Sequence, residues 1–364
     1  MQVTIVGLPA SGKSTVFNAL TGGHAETGAF AGSRASPNVA VVKVPDERLD
    51  RLAALFKPRK ETPADVTYVD VAIPAGAARE GTVAPDVLAQ IRNADALVHV
   101  VRAFEAGTAD RPVDPWRDVE ELDLEFVVAD LTVIQKRLEK LRTSGRHGSP
   151  TERETNALEE ELLARLEPHL GEGHPLRSLE LGEQEEKRLR GYRFLSQKPV
   201  LVILNIDEAR LPGAAELEVE GRERYRQPHS DVAALAGKLE EEIGQLTSED
   251  ADLFMADLGI AEASRGRVIR LTYGLLGLFS FFTAGEDECR AWTLRHGETA
   301  VDAAGVIHSD LARGFIRAEV VTFDDLMACG SLAEARKRGL LRSEGKAYRV
   351  RDGDVIQVLF NVAR

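Results

Sequence analysis

Short apolar runs rich in β-branched residues alternate with longer stretches of helical periodicity along most of the chain. Polar or turn residues bound each run, as expected for a strand that is buried on both faces of a sheet. The runs lie at 3–6, 66–71, 96–101, 200–204 and 268–271. This alternation predicts a doubly wound, mostly parallel α/β sheet, in which ligands bind beyond the carboxyl ends of the strands.

Apolar residues recur at helical spacing from 124 to 141 and again from 158 to 170, on either side of a polar break at 143–150. They predict an antiparallel helical hairpin inserted in the α/β domain. Its leucine stripe is interpreted as the hairpin seam, with partner binding as the alternative. A small α+β unit follows, in which Asp352-Gly353-Asp354 predicts a β-hairpin turn. The predicted domains are 1–122 with 197–281, the insertion 123–196, and the C-terminal unit 282–364.

Residues 7–14 read Gly-Leu-Pro-Ala-Ser-Gly-Lys-Ser, between the first predicted strand and a helical pattern. This is the phosphate-loop pattern G-x-x-x-x-G-K-[ST] in its proper context. The glycines allow a tight turn whose N–H groups point into one concavity, and the helix adds its free N–H groups. Lys13 is expected to reach the β- and γ-phosphates as the catalytic residue, and the Ser14 hydroxyl to bind Mg²⁺. The predicted nucleotide contacts here are Pro9, Ala10, Ser11, Gly12, Lys13, Ser14 and Thr15.

The composition limits the setting and the partners. No apolar run approaches the roughly 18 residues of a membrane span, no signal peptide is evident, and two cysteines make no disulfide framework. A reduced, cytoplasmic setting is expected. The net charge of −13 argues against general coating by nucleic acid, although the basic run at 336–351 offers a local patch for RNA phosphate. A solvated face with counter-charges from elsewhere is the alternative for that run.

Two later segments supply candidates for the rest of a nucleotide site. Asp70 closes the segment Val66-Thr-Tyr-Val-Asp and is the expected Mg²⁺-side carboxylate. Asn205-Ile-Asp-Glu208 follows the run at 200–204, where GTPases have Asn-Lys-x-Asp to recognise guanine. The extra methylene of Glu208 moves its carboxylate by roughly 1.5 Å, the length of one C–C bond. Guanine selectivity is therefore expected to weaken, which makes adenine acceptable.

With these motifs the chain resembles the YchF/Obg-like ATPase family over nearly its whole length. The resemblance rests on the phosphate loop, the Asn205–Glu208 variant, the helical insertion and the sequences at 91–104, 282–286 and 290–293. The C-terminal unit is similar to the family's TGS domain, a β-grasp module. The resemblance therefore implies a P-loop NTPase fold with an inserted helical hairpin and a C-terminal β-grasp domain.

The same resemblance implies a Mg²⁺-dependent NTPase that prefers ATP or accepts both ATP and GTP. It also implies a cytoplasmic, monomeric protein that associates with the large ribosomal subunit or its RNA, in translation or stress adaptation. The basic patch and the helical insertion are the expected contacts with the ribosome. By position, Ile206 is expected near the purine ring, with Asn205 and Glu208 at its edge.

The loops that sense the γ-phosphate depart from the family pattern. Residues 22–38 suit a switch loop or a plain flexible connection, and Arg34 stands where the family has the Mg²⁺-binding threonine. Ile73-Pro74 replaces the Gly-Leu of the second switch, and no glutamine follows to orient water. Intrinsic hydrolysis is therefore expected to be slow. The alternative is a divergent nucleotide-binding scaffold protein that hardly hydrolyses its ligand.

Overall fold

The computed structural model describes residues 1–23, 37–71, 83–105, 112–144, 149–258, 260 and 263–361. The strands are β1 Gln2–Val6, β2 Asn38–Lys43, β3 Lys60–Thr62, β4 Asp65–Asp70, β5 Ala96–Ala103, β6 Val200–Ile206, β7 Ser230–Leu235, β8 Leu278–Ala284, β9 Glu288–Arg295, β10 Phe315–Thr322, β11 Arg342–Glu344 and β12 Asp354–Phe360. They form two six-stranded sheets, in the orders β2-β4-β1-β5-β6-β7 and β11-β10-β12-β8-β9-β3.

The helices begin and end as follows. They are α1 Lys13–Thr21, α2 Glu47–Phe56, α3 Pro85–Arg92, α4 Pro115–Ser144, α5 Pro150–Gly171, α6 Glu183–Leu189, α7 Ala214–Arg224, α8 Gly237–Ile243, α9 Ser248–Asp257, α10 Ser264–Leu275, α11 Ala300–Ile307, α12 Ser309–Arg313, α13 Phe323–Cys329 and α14 Leu332–Lys337. Two short 3₁₀ segments lie at Leu176–Ser178 and Glu208–Gly213. Within the described residues, no helix is both long enough and apolar enough to span a lipid bilayer.

The chain divides into two compact units. The first comprises Met1–Ala40 and Thr67–Val268, and the second comprises Val41–Val66 and Ile269–Arg364. The segment 41–66, which the sequence places in the first domain, thus groups with the C-terminal residues. One reason lies in Arg48, whose guanidinium donates to Asp46 and, at 2.9 Å, to Asp352. This side chain also lies over the ring of Phe282, 5.2 Å from its centroid.

The first sheet confirms the predicted parallel α/β architecture. β1 pairs in parallel with β4 and β5, and β6 pairs in parallel with β5 and β7. Every residue of β5 and β6 is buried, which explains why their sequences are continuous apolar runs instead of alternating ones. The carboxyl ends of β1 and β4 lie side by side, because Ile5 is in register with Asp70.

One predicted strand is wrong. Residues 268–271 lie inside helix α10, in which Val268, Ile269 and Thr272 are buried at helical spacing. A four-residue segment with three apolar side chains, Val-Ile-Arg-Leu, does not distinguish a strand from a buried helical turn. The strand at the edge of the sheet is instead β7, whose Ser-Asp-Val-Ala-Ala-Leu sequence has fewer β-branched residues than its neighbours.

Helices α4 and α5 form the predicted helical pair, although α4 begins earlier than expected, at Pro115. Their shared core contains Ile134, Leu138 and Leu141 from α4 and Leu162, Leu163, Leu166 and Leu170 from α5. The predicted seam is wrong at its ends. Leu124, Val128 and Leu158 are exposed by 53%, 49% and 41%. A capping box between Ser149 and Glu152 begins α5.

In the second unit, the predicted β-hairpin around Gly353 is also wrong. Residues 351–353 do form a turn that ends in β12, but β12 pairs antiparallel with β10 and parallel with β8. The residues before the turn contribute only an isolated bridge between Arg349 and Thr299. The turn signal was correct, but a turn alone does not determine which strand its neighbour pairs with.

Candidate nucleotide site

The loop between β1 and α1 has the geometry that its glycines demand. A Cβ atom on Gly7 would lie 2.4 Å from the carbonyl oxygen of Val100, and one on Gly12 would lie 2.2 Å from Asn205 Nδ2. Gly12 also has a φ of +83° and Ala10 one of +64°, so the chain turns through left-handed backbone at both positions. Among the described residues no side chain caps α1, which leaves the N–H groups of its first turn available to an anion.

Three polar side chains meet beside this loop. Ser14 Oγ donates to Asp70 Oδ2 over 3.0 Å. Asp70 is 5% exposed, and its other oxygen, Oδ1, is buried without a hydrogen-bond partner in the described structure. Burial lowers the pKa of the Lys13 ammonium from its ordinary value, while the nearby Asp70 carboxylate partly opposes that shift. Next to the loop, the Lys13 ammonium and the Asp70 carboxylate therefore stabilise each other's charge.

These groups fit a Mg²⁺ ion. A hydroxyl and a carboxylate supply the hard oxygen ligands that this ion prefers. The Oδ1 atom of Asp70 is a buried acceptor without a partner in the described structure, which costs free energy. A cation bound to this atom would remove that cost. Ser14 and Asp70 are therefore the residues that would hold the ion.

Asn205 holds the phosphate loop in place through two side-chain hydrogen bonds. Its side chain is 4% exposed; Nδ2 donates to the carbonyl oxygen of Ser11 over 3.0 Å, and Oδ1 accepts from Gly237 N at 3.1 Å. The amide therefore joins the phosphate loop to the start of α8. The sequence reading identified Asn205 but missed Gly237, because β7, the strand before it, was not recognised.

Phe104 is a second residue that the sequence reading missed. Its ring borders the loop, since a Cβ atom on Gly12 would lie 3.8 Å from Phe104 Cε1. The residue follows β5 and is only partly buried. An aromatic residue directly after a buried strand was the available signal.

The other predicted base contacts lie at the end of β6. Ile206 is 3% exposed and packs in the core with Leu204 and Ala103. Glu208 is exposed at the start of a 3₁₀ segment, which Asp207 caps by accepting from Arg210 N. Contacts of Ile206 and Glu208 with a purine stay predictions.

Two bacterial proteins match nearly the whole chain. It is 39% identical to the ribosome-binding ATPase YchF of Bacillus subtilis over 365 residues, which cover 98% of both chains. It is 38% identical to the protein of the same name from Escherichia coli O157:H7, again over 98% of each. The chain belongs to the YchF family.

Two family models and a solved structure extend the match. Residues 2–137 match a model described as 50S ribosome-binding GTPase, and residues 278–361 match YchF-GTPase_C, described as a protein of unknown function. The structure of the YchF GTPase of Schizosaccharomyces pombe superimposes with a TM-score of 0.84 at 28% identity, covering 99% of this chain and 97% of that one. The predicted YchF fold is thus confirmed.

The positions that depart from the YchF switch sequences are not part of the described structure. Arg34 and Ile73-Pro74 lie outside the described residues. The described residues continue at Pro37 after the first of these positions and at Val83 after the second. Val83 N donates to Glu125 Oε2 on α4 over 3.3 Å. In this YchF-family chain, Val83, the first described residue after Ile73-Pro74, is therefore held by Glu125 of the helical insertion.

Proposed function

We propose that this YchF-family chain is a Mg²⁺-dependent NTPase that hydrolyses ATP at the γ-phosphate, takes GTP as a second substrate and acts on the ribosome. The observation that carries the proposal is the meeting of Lys13, Ser14 and Asp70 beside an intact phosphate loop. Both bacterial relatives bear the name ribosome-binding ATPase, which supports the reaction and the partner. The alternative of a scaffold with little hydrolysis rests on the altered switch sequences alone, and those names do not favour it.

Hydrolysis proceeds by in-line attack of water on the γ-phosphate, and the chain contributes position and charge. The N–H groups of the loop and of the first turn of α1 bind phosphate oxygens. The Lys13 ammonium neutralises the negative charge that grows on the leaving β-phosphate. When Mg²⁺ is held by Ser14 and Asp70, it adds Lewis-acid stabilisation of the same charge. Without a partner that completes the site, turnover is slow.

For the base, the proposal combines three kinds of contact. Asn205 and Glu208 lie at the purine edge, and Ile206 contributes the backbone beside the ring. Phe104 offers an aromatic face next to Gly12, and stacking on such a face does not distinguish adenine from guanine. This mixture accounts for ATP use with GTP as a second substrate.

The proposed ribosomal contacts lie in two regions. They are the C-terminal TGS domain, residues 282–364, and the helical insertion, residues 123–196. Part of the basic run is already neutralised: Arg336 pairs with Glu319 at 2.6 Å and Arg338 with Glu334 at 2.8 Å. Four exposed cations of this run form no ion pair among the described residues: Lys337, Lys346, Arg349 and Arg351. These are the proposed contacts with RNA phosphate. Residues 1–40 and 67–268, apart from the helical insertion, form the nucleotide domain of a cytoplasmic monomer.

Single-turnover hydrolysis of ATP by the purified protein tests the reaction. Lys13→Met is expected to lower the rate by about a hundredfold, because a positioned charge at the leaving group is lost. Lys136→Met, which removes an equal charge from an exposed position on α4, is the control. A Lys13→Met rate equal to that of the control contradicts the assignment of Lys13.

Calorimetric titration of ATP and GTP with Mg²⁺, run side by side, tests the base site. We expect ATP to bind at least as tightly as GTP. A preference for GTP of more than about tenfold, or 1.4 kcal/mol, contradicts the interpretation of Glu208. Co-sedimentation with purified ribosomes tests the partner, and charge reversal of Lys337, Lys346 and Arg349 is expected to weaken it.

A further inference from the structure

Helix α9, Ser248–Asp257, presents apolar side chains to solvent. Its inner face is partly buried, since Ala251 and Met255 pack against the core of the first unit. On the other side, Leu253 is 72% exposed and Phe254 is 36% exposed. Leu253 is the most exposed large apolar side chain among the described residues, and the neighbouring Phe254 extends the apolar surface that it presents.

The charges around this face have one sign. Asp and Glu are the only charged residues from Leu239 to Ala263. On the helix, Asp250 and Asp257 are each three or four residues from both Leu253 and Phe254, so they lie beside both apolar side chains. Asp257 has no ion pair within the described part of the chain, and Asp250 accepts only from the hydroxyl of its neighbour Thr247, at 2.7 Å.

We propose that this acidic-apolar face, defined by Asp250, Leu253, Phe254 and Asp257, docks a lysine- and arginine-rich amphipathic segment of a ribosomal protein. The inference rests on the ribosomal function proposed above. Carboxylates on a docking face repel RNA phosphate and anionic lipid, and they attract protein cations. The two apolar side chains supply anchors that bury on contact. The acidic-apolar face and the basic run of the C-terminal unit are therefore proposed to bind different parts of the ribosome, protein and RNA respectively.

The test uses the full chain, purified ribosomes and two matched double variants. Leu253→Ala with Asp257→Lys changes the proposed face. Val219→Ala with Glu220→Lys makes the same kinds of change on α7, where Val219 is 56% exposed and Glu220 is also exposed. All four side chains are exposed, so both variants retain the core.

We expect the α9 variant to lower ribosome affinity by about tenfold, the effect of losing a central anchor and a charge pair. The α7 variant should stay within about twofold of the unchanged protein. ATP turnover without ribosomes should be equal in all three proteins. A photo-reactive amino acid in place of Leu253 should cross-link to a basic ribosomal protein.

Equal ribosome affinity of the α9 and α7 variants overturns the inference, and so does a cross-link to ribosomal RNA or to a second copy of this chain. These results leave the proposed function standing, provided the unchanged protein sediments with ribosomes. Failure of the unchanged protein to sediment under any nucleotide condition overturns both the ribosomal function and this docking surface.

Discussion

Replacing Asn205 by alanine is expected to destabilise the first unit even when no nucleotide is bound. The side chain makes two buried hydrogen bonds, to Ser11 O at 3.0 Å and from Gly237 N at 3.1 Å. Each bond contributes about 1 kcal/mol, and each buried partner left unpaired costs about 1–3 kcal/mol. Since Ser11 and Gly237 are both buried, the expected loss is about 3 kcal/mol, within a range of about 2–6 kcal/mol.

Urea unfolding of the nucleotide-free protein measures this loss. The chain has two tryptophans, Trp116 in the first unit and Trp292 in the second. A Trp292→Phe background leaves Trp116, which packs against the core of the first unit, as the only indole reporter. With a urea m-value of about 3 kcal/mol/M, the midpoint of Asn205→Ala should fall by about 1 M.

The variant Asn205→Asp distinguishes the contributions of these two hydrogen bonds. A carboxylate oxygen still accepts from Gly237 N, but it has no hydrogen to donate to Ser11 O, so this variant loses the bond to the phosphate loop. If Asn205 served only to recognise a purine, both variants would keep the original urea midpoint and differ only in nucleotide affinity. That result would refute its assignment as a brace of the loop.

Three further outcomes are expected. Asp70→Asn should lower Mg²⁺-dependent turnover by about a hundredfold, with little change in nucleotide affinity measured in EDTA, because a charged ligand of the ion is lost. Glu208→Asp should shift the ATP:GTP affinity ratio toward GTP by about tenfold in calorimetry, since the shorter carboxylate regains the guanine edge. Burial lowers the pKa of His99 from 6.5 to about 4. Between these two pH values the imidazole is protonated in the unfolded chain and neutral in the folded chain. Stability should therefore fall by about 3 kcal/mol as the pH drops from 6.5 to 4, and His99→Gln should remove that part of the pH dependence.

Local sequence carried enough information for the phosphate loop and for the central strands. Gly7 and Gly12 are required by close approaches that only a residue without a Cβ tolerates, and Lys13 and Ser14 follow at fixed spacing. The runs that became β5 and β6 were recognisable because a strand buried on both faces has no polar alternation. The helical pair α4 and α5 was recognisable because its period repeats over many residues.

Features that depend on distant residues were not recognisable. The brace between Asn205, Ser11 and Gly237 joins positions that are far apart in sequence and meet only when parallel strands place their carboxyl ends together. Likewise, Arg48 and Asp352 are separated by 304 positions, and their contact helps to assign residues 41–66 to the second unit. A short, mostly apolar segment such as 268–271 has no local preference strong enough to decide between strand and helix, and the surrounding packing decided it.

The sequence by itself therefore determined the phosphate chemistry, because a tight loop and its cation are encoded within a few consecutive residues. The tertiary structure alone decided what holds that loop in place and which surface of α9 remains open to a partner. Burial and hydrogen bonding are set by the whole fold, so the neighbours of a side chain cannot be read from its own segment.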